Sequence, residues 1–233
     1  MNDRDTLSTS DLDNTAMHPE HQSAKQLSMI AVVGDLANLF TLTGLLSGVL
    51  GIYFAIRGNF SAAMITMLWA LFFDWFDGLV ARRSQNRSQE LRDIGGHLDS
   101  LVDIISAGVC PAVVLLSYGE FSPWFLPGAM VLIAAGTIRL SYFNVFCLGK
   151  DTAYMGLTID NNIIVVPLVF LLEGVVSQAN FAAILYCTIV LLAILNVAPF
   201  QMRKPGGRWY YIITIYAVGL TAVYGWRIWT GLS

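Results

Sequence analysis

The stretch Phe72-Phe73-Asp74-Trp75-Phe76-Asp77-Gly78-Leu79-Val80-Ala81-Arg82-Arg83 closes an apolar run that begins at Phe60, and its two aspartates decide how the chain is read. A run of about 20 apolar residues matches the ~30 Å hydrocarbon core of a bilayer. A carboxylate near the bilayer centre, however, costs roughly 2.5–3.5 kcal/mol on insertion scales. The next apolar run opens Gly95-Gly96-His97-Leu98-Asp99-Ser100-Leu101-Val102-Asp103 and carries two more. Asp74 and Asp77 are three residues apart and Asp99 and Asp103 four, so helical periodicity places each pair on one face about a turn apart. Two spans joined by a short loop run antiparallel, and both pairs lie toward the joined ends. All four carboxylates are therefore expected to meet in one pocket, where a solvated loop would scatter them.

The rest of the chain agrees with a membrane reading. Of 233 residues, 56% are hydrophobic and 12% charged, against about 25% charged in a soluble domain. With a mean hydropathy of +0.63, one interior of this size could not hide the apolar surface, so lipid must serve as the second solvent. The expected fold is an all-α integral membrane protein, a polytopic helical bundle of about seven spans with a six-helix core. Apolar stretches fall at about 30–57, 60–83, 94–118, 123–147, 159–176, 180–200 and 208–230. Residues 1–28 are polar and are expected to be a mobile tail, and 29–233 a single transmembrane catalytic domain. Arg57-Gly58-Asn59, the run Arg82 to Asp93, and Gly149-Lys150-Asp151 are among the breaks. With the N-terminus inside, the inside loops hold Arg82, Arg83, Arg87, Arg92, Lys150, Arg203, Lys204 and Arg208, and the outside loops Arg57, a ratio of eight to one. This predicts carboxylates facing the cytoplasm, in a membrane of prokaryotic inner-membrane type. Arg227 in the last stretch leaves open that this segment lies at the interface. A net charge of −3 without a basic patch excludes nucleic acid as a partner. Cys110, Cys147 and Cys187 lie apart in apolar runs and read as buried small side chains.

Four carboxylates at close range need counter-charge. Oxygen donors without cysteine or a well-placed histidine select a hard divalent cation, Mg²⁺, Mn²⁺ or Ca²⁺, over zinc. Gly78 follows Asp77, Ala81 lies four residues on, and Gly95 lies four before Asp99, so small side chains leave a groove beside the acids. Arg82 supplies a guanidinium suited to phosphate oxygens. Together these point to a diphosphate ligand and phosphoryl chemistry.

The spacing Asp74-x2-Asp77-Gly78-x2-Ala81-Arg82, then Gly95-x3-Asp99-x3-Asp103, resembles the signature of the CDP-alcohol phosphotransferase family. Twelve residues separate Arg82 from Gly95, where most of the family has eight; bacterial phosphatidylcholine synthases share the longer gap. Asn38-Leu39 with Thr41, Gly58-x-Phe60, Leu98 through Pro111-Ala112, Arg139-Leu140-x2-Phe143-Asn144 and Gly156-Leu157 are similar to the phosphatidylserine synthase branch. After Gly156-Leu157 that branch usually has proline, and here Thr158-Ile159-Asp160-Asn161-Asn162 follows. The resemblance implies two divalent cations, Mg²⁺ or Mn²⁺, held by Asp74, Asp77, Asp99 and Asp103, with Asp103 as the base that deprotonates the acceptor. It implies Asn38, Gly78, Ala81, Arg82 and Gly95 around the CDP part, and Arg139 and Asn162 at a lipid phosphate or the acceptor. The implied partners are a CDP-diacylglycerol-type liponucleotide, a small alcohol (serine first, choline second), membrane lipids and a second copy in a homodimer.

Duller readings accompany these. Intramembrane carboxylates also mark divalent-cation or proton-coupled transporters, although the inverted halves common there are not visible. The run Arg82 to Asp93 reads as a solvated loop, His97 as pointing away from the acids, and Gly44, Gly48 and Gly51 as a helix-packing stripe. Asp160 and Asn162 read as helix caps, Trp75, Trp124, Tyr142 and Phe143 mostly as lipid-facing, and Glu173 has no assigned role.

Overall fold

A computed structural model describes residues 28–84, 87–146, 154–202 and 207–231. The polar tail, Cys147, Lys150, Arg203 and Lys204 lie outside the described residues. Among the described residues, six helices are long and apolar enough to cross a membrane: Leu36–Ile56, Phe60–Arg83, Gln89–Tyr118, Pro123–Phe146, Gln178–Asn196 and Arg208–Thr230. In chain order, the short α1 is Met29–Val33, α2 is Leu36–Ile56 and α3 is Phe60–Arg83. The third span is composite: α4 is Gln89–Asp103, a π-helical segment covers Ile104–Val109, and α5 is Cys110–Tyr118. After it come α6, Leu126–Phe146, then α7, Asp160–Phe170, α8, Gln178–Asn196, and α9, Arg208–Thr230.

Side chains start these helices where the sequence offers them. Asp35 accepts from the backbone N–H of Asn38 at 3.2 Å, and Asn59 from Ala62 at 3.0 Å. Each satisfies an N–H that the first turn leaves open.

The expected fifth span is shorter than predicted. α7 has 11 residues, about 16 Å at 1.5 Å per residue, roughly half a hydrocarbon core. It starts beside the carboxylates and ends with Phe170 among Phe60, Tyr118 and Phe181, with ring centroids 5.1–5.8 Å away. The chain reaches Asp160 through a non-helical stretch that includes β1, Tyr154–Met155, paired antiparallel with β2, Gln201–Met202. Non-helical backbone at this depth must be satisfied by protein. Gly156 N–H donates to Phe200 O at 2.8 Å, and Leu157 N–H to Leu195 O at 2.9 Å. Gly156 sits at φ +71, and a Cβ there would collide with Asn196 O, so this contact requires glycine.

The glycine stripe packs as expected. Gly44, Gly48 and Gly51 are buried, and a Cβ on Gly48 would collide with Ser106 Oγ in the π-helical segment. Small residues thus bring α2 against the third span directly behind Asp103. Cys110 is buried, but Cys187 is exposed on α8, contrary to expectation.

Arg227 is explained by its partners. Its guanidinium donates to Phe170 O at 3.1 Å and Leu171 O at 2.9 Å, with Glu173 O at 3.5 Å. These carbonyls end α7, where a helix has unsatisfied acceptors and partial negative charge.

Candidate active site

α3 and the third span deliver the acids. Asp74, Asp99 and Asp103 each place a carboxylate oxygen so that all three lie within 4.8 Å of one another. At an effective dielectric of about 20, each such pair of charges would repel by at least about 3.5 kcal/mol. The donor set, oxygen alone and three-sided, fits a hard divalent cation. The π-helical segment begins one residue after Asp103; such bulges recur at functional sites because the widened turn re-aims side chains.

Asp77 stands apart from that trio. It is 7% exposed and accepts a hydrogen bond from Thr41 Oγ1 at 2.5 Å. Two cavities meet at this point. The larger, about 850 Å³, is lined by Asn38, Asp77, Gly78, Ala81, Arg82, Arg87, Arg92, Gly95 and Asp99. The smaller, about 240 Å³, is lined by the four aspartates with Trp75, Arg139, Phe143, Thr158, Asp160 and Tyr210. Asp77, Gly78, Arg82 and Asp99 border both, and Asp103 faces only the smaller.

The large cavity is basic and its walls are braced. Arg87 makes an ion pair with Asp35 at 2.8 Å, the two side chains being 7% and 10% exposed. It also donates to Asn38 Oδ1 at 3.0 Å, while Asn38 Nδ2 donates to Val32 O at 2.9 Å. A Cβ on Gly95 would stand 2.9 Å from Arg87 Nη2 and 3.0 Å from Asn38 Oδ1, so glycine there admits the guanidinium. The run expected to be a solvated loop thus contributes a largely buried ion pair between Arg87 and Asp35 at the start of α2. Arg82 Nε donates to Gly78 O at 2.9 Å, and its Nη2 to the Tyr210 hydroxyl.

Of the other expected residues, Arg139 is 9% exposed and its guanidinium lies 5.3 Å from the Phe143 ring centroid. Asn162 is fully buried behind the cavity, donating to Ala107 O at 2.8 Å in the π-helical segment and accepting from Asn196 Nδ2 at 3.4 Å. His97 is exposed, as expected. Trp75 and Phe143 line the small cavity rather than lipid alone, whereas Trp124 is 85% exposed. Tyr210 was not singled out in the sequence. It sits on α9, over a hundred residues from Arg82, with its ring 5.7 Å from Trp75, and no local signal pointed to it. Asp160 also lines the cavity and does not act as a cap: Ile159 is at the N-cap position, with no side-chain hydrogen bond.

A polytopic helical bundle that gathers acids where two cavities meet has the architecture of an integral membrane protein with an internal polar site. Residues 35–223 match the family described as CDP-alcohol phosphatidyltransferase, and the chain belongs to that family of transferases. It is 34% identical over 169 residues to an archaetidylserine synthase of Methanothermobacter thermautotrophicus, covering 72% of this chain and 70% of that protein. It is 29% identical over 173 residues to a CDP-diacylglycerol–serine O-phosphatidyltransferase of Helicobacter pylori, with 72% and 70% covered. A protein so named from Methanocaldococcus jannaschii is 27% identical over 185 residues, with 79% and 81% covered.

Proposed function

We propose that this protein transfers the phosphatidyl group of a CDP-diacylglycerol-type liponucleotide to L-serine, releasing CMP. The observation that carries the reading is the junction of the two cavities at the carboxylates. A basic chamber with small-residue walls suits the anionic nucleotide, and a small chamber with Asp103 and Arg139 suits a compact polar acceptor. Serine is favoured because the relatives carry serine synthase names. Two divalent cations, Mg²⁺ or Mn²⁺, on Asp74, Asp77, Asp99 and Asp103 would neutralise the diphosphate and acidify the acceptor hydroxyl.

In this reading the chain's own residues do the following. Arg82 pairs with a phosphate oxygen, and Asn38, Gly78, Ala81 and Gly95 shape the wall along the CDP part. Asp103, on the acceptor side, takes the hydroxyl proton as the acceptor oxygen forms its bond to the lipid-side phosphorus. The bond from that phosphorus to the bridging oxygen breaks, and CMP leaves into the large cavity. The basic-residue bias supports an active site facing the cytoplasm in a prokaryotic cytoplasmic membrane.

The test is CMP release from CDP-diacylglycerol by purified protein with Mn²⁺, offering serine, choline, glycerol 3-phosphate and inositol separately. Release with serine alone is expected. Release with choline and not serine would move the assignment to a phosphatidylcholine synthase. An ion carrier would release no CMP with any acceptor.

A further inference from the structure

Asp160 is a fifth carboxylate in the small cavity, and nothing in the proposed chemistry uses it. It lies in the first turn of α7 without capping it and is outside the trio whose oxygens converge. It lines the same cavity as Asp74, Asp99, Asp103 and Arg139, close enough for their charges to interact with its own. The cavity therefore offers a carboxylate and a guanidinium to whatever fills its 240 Å³, with Asp103 close by. Thr158 stands beside them, and its Oγ1 accepts from Asn161 Nδ2 at 2.7 Å. Its hydroxyl proton is thereby left for another acceptor.

A carboxylate close to three others is unfavourable, and a cation that arrives with the ligand relieves the repulsion. A ligand that carries an ammonium and a carboxylate on the same carbon supplies that cation and matches both walls at once. Resting on the serine reading, we infer that Asp160 binds the α-ammonium of serine while Arg139 and the Thr158 hydroxyl hold its α-carboxylate. This clamp turns the β-hydroxyl toward Asp103. The same arrangement selects the acceptor. Glycerol 3-phosphate brings anionic oxygens against Asp160, inositol brings no cation, and choline brings no carboxylate to Arg139. Asp160 is thus a specificity-determining residue.

The test uses the purified full chain with Asp160→Asn. Loss of one charge-assisted hydrogen bond should raise the KM for serine, measured at saturating Mn²⁺, about 10- to 100-fold, with CMP affinity at saturating Mn²⁺ unchanged. Calorimetric titration of serine into protein loaded with Mn²⁺ and CMP should show the same weakening, independent of turnover. An unchanged serine KM at saturating Mn²⁺ overturns the inference, and so does loss of CMP binding at saturating Mn²⁺, which would place Asp160 in the metal and nucleotide site instead. If the variant does not fold, the wild type decides: 3-hydroxypropionate, which is serine without its amine, should inhibit with a Ki at least about ten times the serine KM. Equal affinity overturns the inference. Failure of the serine reading itself is seen separately, as wild-type protein that releases no CMP with serine.

Discussion

Between the π-helical segment and Tyr118 the third span is packed tight, with Cys110, Ala112, Val114 and Leu115 at 1% exposure or less, whereas between Gln89 and Asp103 only Ser100 and Val102 are buried. The same division runs through the bundle. Toward the Phe60 end of α3, Met64, Met67 and Leu68 are fully buried, and Phe60, Tyr118, Phe170 and Phe181 interlock edge to face or tilted. Toward the Arg83 end, the interior is two cavities walled by carboxylates and guanidiniums. In lipid, apolar side chains gain little by leaving one apolar medium for another, so cohesion comes from close packing. The packed end holds the helices in place, and that allows the other end to stay hollow and charged.

The comparison makes separable predictions. Asp103→Asn at the hollow end should lower kcat for CMP release by at least about 100-fold with the melting temperature in detergent retained; near-normal turnover would remove Asp103 from the proton transfer. Phe170→Ala at the packed end should do the reverse. It should cost about 3–5 kcal/mol of stability through the cavity left behind, read by thermal unfolding, while the serine KM of the folded fraction stays put. A changed KM would mean that the two ends are not independent. Arg87→Ala joins both classes, since it leaves Asp35 without its partner. It should cost about 1–2 kcal/mol and weaken CMP binding, with Arg87→Lys restoring part of each. The smallest effect is expected of Thr41→Val. Loss of its hydrogen bond to Asp77 is worth about 1 kcal/mol, read as a roughly fivefold higher Mn²⁺ requirement at unchanged melting temperature.

What was legible in the sequence was what short-range periodicity encodes. Asp74 and Asp77, and Asp99 and Asp103, declare their faces through spacings of three and four. Gly48 and Gly51 announced a close approach that the contacts with Ser106 and Cys110 realise. Less legible was anything depending on where the chain goes after it leaves a helix. The stretch 159–176 has the composition of a span, but α7 covers half of that depth because the strand pair and the Leu157 hydrogen bond carry the chain into the bundle first. Arg227 looked misplaced until α7 ended beside it.

The sequence by itself determined that this is a bundle of membrane helices with four acids on facing surfaces, because length, hydropathy and helical repeat are local properties of the chain. Only the tertiary structure decided that Asp77 would pair with Thr41 while lining the same cavity as the other three, that Arg87 would pair with Asp35, and that Tyr210, Arg139 and Asp160 would share that cavity. These residues are brought together by helix packing across tens to over a hundred positions, and no local pattern records which distant side chains will meet.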